Sequence, residues 1–202
     1  MKLRWPRRFS LRVLLILTTA VCLLLGYWVV SSRRQRDALN VLRQHQYNVA
    51  YEPLANPDGW RGQLARLLGG DFVLSPWGLY SNSSSKEFHG DLDIVRTLTT
   101  VRKLTLDFSG VNDEDLRKLQ GHPNIDFILL NYTQVTDDGI GQLVGLPLEE
   151  LHLEELALTD ACVDNLSRLS GLKVLQLTRG QLSDAAIERL KTALPDCTIQ
   201  IR

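Results

Sequence analysis

The chain has 202 residues, of which 44% are hydrophobic and 23% charged, an ordinary globular composition. Its formal net charge of +0 hides an asymmetry, because residues 1–50 hold nine Lys and Arg against one acid, Asp37, whereas the remainder is acidic. An acidic body excludes a nucleic-acid binder, since it would repel phosphate. Three cysteines exclude a disulfide framework, although a Cys162–Cys197 bridge stays an alternative to free thiols.

An uncharged apolar run follows a basic flank of residues 1–12. It covers residues 13–30 and reads VLLILTTAVCLLLGYWVV, which is long enough to span a membrane as a helix. Tyr27 and Trp28 suit the membrane interface, and arginines flank both ends. The run predicts a single-pass signal-anchor. A cleaved signal peptide is the alternative, but no small-x-small cleavage site follows.

The balance of basic residues around this run predicts its orientation. Five precede it (Lys2, Arg4, Arg7, Arg8, Arg12) and four follow it (Arg33, Arg34, Arg36, Arg43). The positive-inside rule therefore places the N-terminus inside and the acidic body outside the cytoplasmic membrane.

Residues 31–70 are predicted to form a helical stalk and an N-terminal capping region. Arg33 to His45 continues the anchor as a short, solvated helix, and Tyr47 to Leu54 alternates as a strand. After the turn at residues 56–59, Trp60 to Leu68 predicts a helix that Gly69-Gly70 ends, with Trp60, Leu64, Leu67 and Leu68 on one side. These elements could cover the open end of the following core.

Four segments with the same apolar spacing begin at Val101, Ile125, Leu148 and Leu172, at intervals of 24, 23 and 24 residues. Each has Leu, Ile or Val at relative positions 1, 4, 6, 11, 16 and 19. The repeat domain is expected over residues 71–202. It begins with a degenerate repeat at 71–100, in which a strand over Val73 to Tyr80 and a polar loop to Ser85 precede a helix over Asp91 to Thr99. The full repeats follow at 101–124, 125–147, 148–171 and 172–196, and a terminal strand at 197–202.

The spacing within each segment predicts its local structure. Positions 4 and 6 share one side of a strand, whereas positions 16 and 19 share one side of a helix. Between them lies a helix-start pair of a capping residue and an acid, at residues 112–113, 136–137, 159–160 and 183–184. Since one unit cannot bury its apolar side alone, the units are expected to stack into a right-handed α/β solenoid with parallel strands inside and helices outside.

The L-x-x-L-x-L spacing with a T-D-x-G-L helix start resembles the leucine-rich repeat, in particular its cysteine-containing subtype and the short repeats of bacterial membrane-anchored proteins. The resemblance covers residues 101–202. The usual Asn or Cys at relative position 9 is replaced by Ser109, Thr133, Leu156 and Gly180.

No phosphate-binding loop, nucleophile elbow, HExxH helix or CxxC pair occurs in the sequence. The four histidines lack metal-ligand spacing, and the acids Asp113, Asp137, Asp160 and Asp184 are explained by helix capping better than by calcium binding. The sequence therefore predicts a non-enzyme with no cofactor, no metal and no small-molecule substrate.

Relative positions 3, 5 and 7 of each strand are expected on the exposed concave face of the sheet. They are Lys103, Thr105, Asp107, Phe127, Leu129, Asn131, Glu150, His152, Glu154, Val174, Gln176 and Thr178. Phe127 and Leu129 are candidate contact anchors, because large apolar side chains on an exposed face favour binding. Coverage of both by the region before residue 100 is the alternative.

The predicted function is a membrane-anchored protein-interaction module for an unidentified protein segment with apolar and basic groups. The candidate contact residues are Phe127, Leu129, Tyr132, Glu150, His152, Glu154, Glu155 and Arg179. His152 with the acids beside it is explained as a solvated cluster rather than an acid–base pair. The alternative function is a structural or self-associating envelope protein, which a bare edge at Cys197 to Arg202 would favour.

Overall fold

A computed structural model of the protein describes residues 11–44, 47–52, 58–81 and 92–202. The expected basic flank up to residue 10, residues 53–57 of the first strand and turn, and most of the loop expected to end at Ser85 lie outside these residues.

Within the described residues, helices and strands alternate after a long first helix. The helices are α1 (Leu11–Gln44), α2 (Trp60–Leu68), α3 (Gly70–Val73), α4 (Leu92–Val95), α5 (Asp113–Arg117), α6 (Asp137–Gln142), α7 (Val163–Ser167, preceded by a 3-10 turn at Asp160–Cys162) and α8 (Asp184–Ala193). The strands are β1 (Tyr47–Tyr51), β2 (Pro76–Ser81), β3 (Lys103–Thr105), β4 (Phe127–Leu129), β5 (Glu150–Leu153), β6 (Val174–Leu177) and β7 (Thr198–Ile201).

The strands form one sheet in sequence order, with β1 antiparallel to β2 and every later pair parallel. The register is the same from strand to strand, so that Leu104 pairs with Ile128, Ile128 with Leu151, and Leu151 with Leu175. The prediction of a mixed α/β fold with parallel strands is confirmed.

The recurring apolar positions of the four segments form the core. All of them are buried except Ile187 of α8, which packs partly buried against the core. Strand residues such as Leu104 and helix residues such as Leu116 are both fully buried, so the core lies between the sheet and the helices. Burial of a leucine side chain is worth about 2 kcal/mol, and the repeated spacing thus supplies most of the apolar stabilisation.

The second half of α1 belongs to this core. Leu39 and Leu42 are buried, and Gln35 Nε2 donates to the Leu74 carbonyl over 2.8 Å. The expectation of a solvated stalk from Arg33 is therefore wrong for residues up to Gln44. Ala38, Leu39 and Leu42 form a narrow apolar side of α1 that packs into the core. This side covers the end of the sheet formed by β1 and β2.

The first half of α1 contains an 18-residue window of mean hydropathy 2.5, none of which is buried in the structure. Its length and composition are sufficient to cross a membrane. No other helix of the described residues meets this criterion.

Two details of the region before residue 100 differ from expectation. The chain turns at Gly69, which has a φ of 92°, and forms the short helix α3 up to Val73, so the strand begins only at Pro76. The helix α2 has the expected bounds, but its apolar side faces away from the core, with Trp60 71% and Leu67 80% exposed.

The helix-start acids link each segment to the next. Asp137 accepts hydrogen bonds from the Thr159 N–H over 2.8 Å and from the Thr159 hydroxyl over 2.6 Å. Asp113 makes the same pair of bonds to Thr136, and Asp160 makes it to Ser183. These carboxylates therefore bond to the next segment, whereas the side chains that cap the helices belong to Asn112, Thr159 and Ser183. The carboxylates fix the spacing of neighbouring segments.

The expected alternative of a Cys162–Cys197 bridge is not formed. Both thiols are free, with Cys162 buried in the core and Cys197 partly buried.

Candidate functional site

The common strand register brings the predicted face residues together in rows. Lys103 lies beside Phe127, Phe127 beside Glu150, and Glu150 beside Val174. The next row contains Thr105, Leu129, His152 and Gln176. Gln176 is only 1% exposed, so the prediction that it lies on the exposed face is wrong. Because the rows cross β3 to β6, the face presents side chains from four distant parts of the chain as one surface.

Phe127 is partly buried rather than exposed. The Lys103 ammonium lies 4.8 Å from its ring centroid, and the His152 ring lies 5.4 Å away at an angle of 52°. The same ammonium lies 5.0 Å from the Trp77 ring of β2. Phe127 is thus shielded mainly by its strand neighbours, and Leu129 beside it is also partly buried.

Acidic groups lie near the Phe127 and His152 rings. His152 Nε2 lies 2.8 Å from Glu150 Oε1, with the His152 side chain 18% and that of Glu150 38% exposed. Burial raises the pKa of Asp107 to about 6, and the nearby Glu154 charge adds to the rise, while a hydrogen bond from the Asn131 N–H and the nearby His152 oppose it. Asp107 therefore carries its charge at some electrostatic cost. The expectation of a solvated cluster is wrong, since these side chains are partly buried.

One carboxylate oxygen of the group lacks a hydrogen bond. The Glu154 N–H donates to Asn131 Oδ1 over 2.7 Å, whereas Glu154 Oε1 is buried without a hydrogen-bond donor among the described residues. The closest cation to it is the Arg202 guanidinium at 3.9 Å. A buried carboxylate oxygen without a donor is electrostatically unfavourable, and the Arg202 guanidinium offsets only part of this cost.

Two exposed aromatic side chains of the repeated segments lie where the strands turn toward the helices. Phe108 and Tyr132 stack with ring centroids 4.6 Å apart and an interplanar angle of 10°, and they are 56% and 51% exposed. Both residues, like Glu155 in the next segment, adopt positive φ of 55–57°. This left-handed conformation costs about 1 kcal/mol for a residue other than glycine, and it directs the side chains outward.

The remaining predicted residues lie at the rim of the face. Glu155 is exposed, and its N–H donates to Thr178 Oγ1 over 2.7 Å. Arg179 is exposed after β6, and its N–H donates to the Arg202 carbonyl over 2.7 Å. The structure thus groups Phe127, Glu150 and His152 closely, and it places Tyr132 in a second, aromatic group with Phe108.

Sequence reasoning omitted Phe108 and Asp107 from the candidate contact residues. Phe108 has the same relative position 8 as Tyr132 and Glu155, so the repeat alignment contained the signal. The pKa of Asp107 had no such signal, because its burial depends on the turn that follows β3.

Aromatic rings and carboxylates are the main groups that this surface offers to another molecule. No group of three or more metal-ligating side chains occurs in the part of the chain that is described. Burial raises the pKa of the Cys162 thiol to about 12, with the Asp137 carboxylate adding to the rise, so that this thiol is a poor nucleophile. Aromatic rings beside carboxylates can bind a segment that offers apolar and cationic groups.

A comparison with known protein families finds no match for this chain, and a comparison with curated proteins finds no relative.

Proposed function

We propose that the chain is a membrane-anchored, non-catalytic interaction module of the leucine-rich-repeat type. The constant spacing of the four segments, their in-register parallel strands and the links from Asp113, Asp137 and Asp160 to the next segment support a right-handed solenoid. The apolar first half of α1 supports the anchor.

The observation that carries the binding proposal is the stacked Phe108–Tyr132 pair. Two large aromatic side chains stay exposed, in strained backbone conformations, directly after the partly buried acidic group. Stacked side chains lose little further conformational entropy when a partner covers them, because the stack already restricts their rotamers. Aromatic anchors of this kind dominate binding energy at interfaces.

The chemistry of the face supports a protein segment with apolar and basic groups as the partner. The apolar groups cover Phe108 and Tyr132, and the basic groups approach Asp107, Glu154 and Glu155. Lys103 keeps its positive charge on this face, where its ammonium lies over the Phe127 and Trp77 rings.

Photocrosslinking in native membranes tests this proposal. A photoreactive residue at Glu155 should give a discrete protein adduct, whereas the same residue at the exposed Lys191 of α8 should not. The double substitution F108S with Y132S should abolish the adduct, because it removes the two aromatic contacts. The variant should still fold, since both side chains are mainly exposed. Equal adducts from both positions, or an adduct that survives the substitutions with an unchanged melting curve, would contradict the proposal.

The partly buried pair Phe127 and Leu129 makes a weaker test. Replacement of both by Ser removes side chains that pack on the sheet, so a lost adduct could reflect altered packing. The exposed pair separates binding from folding more sharply.

We further propose that the repeat domain lies outside the cytoplasmic membrane, on the positive-inside balance. A reporter that is active on only one side of the membrane, fused after Arg202, tests the orientation. Activity of a cytoplasmic reporter would reverse it.

Self-association is the second candidate function, and the edge strand β7 favours it. Among the described residues β7 pairs only with β6, and Ile201 is 39% exposed on it. An open edge can pair with another chain. Mass measurement of the full chain in detergent, with the micelle contribution subtracted, separates the two, because a monomer contradicts self-association.

A further inference from the structure

The short helix α2 has its apolar side turned away from the protein. Trp60, Leu67 and Leu68 are 71%, 80% and 47% exposed, whereas Gly62 on the opposite side of the helix is buried. A surface helix normally buries its apolar stripe against the core. In α2, Gly62 faces the fold and Trp60, Leu67 and Leu68 face outward, while Leu64 is partly buried.

The position of α2 indicates what covers this side. It packs against α3, and α3 packs against the anchor helix α1. Trp28 of α1 and Trp60, Arg61 and Leu64 of α2 line one small cleft together with Val73. Trp28 lies near the end of the apolar run, where a membrane-spanning helix leaves the hydrocarbon region. The exposed side of α2 is therefore next to the segment that reaches the membrane interface.

We propose that α2 lies in the interfacial region of the phospholipid bilayer, with Trp60, Leu67 and Leu68 inserted beside the anchor. This inference rests on the proposed membrane anchor. Continuity with the apolar surface of α1 supports lipid as the occupant, because Leu24, Leu25 and Tyr27 are exposed in the same way. Tryptophan and leucine opposite a polar side are typical of helices that lie in the membrane surface.

Charges at the same level fit phospholipid head groups. Arg61 is exposed on α2. Arg34 and Arg96 line a groove between α1 and the turn after α4, and Tyr27 and Val30 form the apolar wall of that groove. Arginine side chains at this depth can reach lipid phosphates while their stems stay in apolar surroundings. Asp37 also lines the groove, nearly one helical turn beyond Arg34 and farther from the apolar run.

The rigidity of α1 fixes the height of α2. The helix is continuous from Trp28 to the buried Leu39, a rise of about 16 Å. The repeat domain is thus held directly on the membrane, and not at the end of a flexible linker.

Spin-label accessibility in the full chain tests the proposal. With C22A and C197S in the background, only the buried Cys162 remains, and nitroxide labels are placed in separate samples at Leu67→Cys, Leu24→Cys and Lys191→Cys. The purified chain is reconstituted in vesicles of phosphatidylethanolamine and phosphatidylglycerol. Collisions are measured with oxygen, which concentrates in lipid, and with a neutral nickel chelate, which stays in water.

The labels at positions 67 and 24 should collide more with oxygen than with nickel, and the label at position 191 should show the reverse order. A label at 67 that behaves like 191, while 24 reports lipid, shows that α2 is open to water, which overturns the α2 proposal and leaves the anchor intact. Few collisions with either reagent at 67 would show that a protein covers α2, which also overturns the proposal. Labels at 24 and 67 that both report water overturn the anchor as well.

Discussion

Asp107 lies where carboxylates and an imidazole meet on the exposed face of the sheet. Its pKa of about 6 results chiefly from burial, so the folded protein binds a proton there more tightly than the unfolded chain does. The stabilisation from that proton is complete below the unfolded pKa near 3.8, and it is lost as the pH rises through about 6.

Replacement of Asp107 by Asn should remove this pH dependence. The amide keeps an oxygen that can accept from the Asn131 N–H but carries no charge. We compare the free energies of unfolding of the natural chain and of D107N. The natural chain should lose about 1 kcal/mol relative to D107N between pH 4 and pH 7. This value is reduced for solvent screening, because the carboxyl is only half-buried. Urea unfolding of both proteins at several pH values measures it. A difference that stays constant or increases with pH contradicts the proton linkage.

The acids at the helix starts allow a second prediction at the residue scale. Asp137 accepts two hydrogen bonds from Thr159, so D137A should lower the free energy of unfolding by about 1–2 kcal/mol. Asp138 is the matched control, since it is exposed in the same helical turn and D138A removes only a favourable interaction with the helix dipole, worth about 0.5 kcal/mol. Equal losses from the two substitutions, measured in urea, would show that Asp137 contributes only through the dipole.

At the scale of elements, the apolar spacing predicted most of what the structure shows. A spacing of two apolar residues predicts the strand that contains Leu104, and a spacing of three predicts the helix that contains Leu116. These spacings arise because one side of each element is buried. The same spacing did not predict which way α2 faces, since an apolar stripe looks the same in sequence whether it packs against a core or against lipid. It also gave no information on the links such as Asp137 to Thr159, which depend on the stacking of two segments.

Two glycines in α6 should respond in opposite directions to replacement by Ala. A Cβ on Gly139 would meet Asp113 Oδ1 and, at 2.9 Å, Val135 Cγ1, and Asp113 cannot move without losing its bonds to Thr136. G139A should therefore cost about 1–3 kcal/mol. A Cβ on Gly141 would meet the side chain of Asn165 at 3.1 Å, which can shift, so G141A should gain about 0.5–1 kcal/mol from helix propensity.

Chemical unfolding of both variants measures these effects, with the helix content of each checked by circular dichroism. A stabilised G139A would show that the segments are not held as closely as the Asp113 bonds indicate. A strongly destabilised G141A would show that Asn165 is fixed.

At the scale of the whole molecule, α1 serves two surroundings. Its first half is exposed and apolar, whereas Leu39 and Leu42 in its second half are buried against the repeat domain. Repeat domains need a cap at each end, because an end segment exposes its apolar side. The same helix therefore supplies the N-terminal cap and the apolar run that we propose as the anchor.

Two truncations separate these roles. A chain that begins at Arg33 loses the apolar run but keeps the buried leucines, and we expect cooperative unfolding. A chain that begins at Tyr47 loses Leu39 and Leu42, each worth about 2–5 kcal/mol as a buried side chain, which is comparable to the whole stability of a domain. That chain should melt without a cooperative transition or aggregate. Thermal unfolding by circular dichroism compares the two, with L42A and the exposed control N40A in the full chain to show that the loss comes from packing. Equal melting midpoints for both truncations would mean that residues 33–44 do not cap the fold, and the rigid connection between the domain and the membrane would then have no basis.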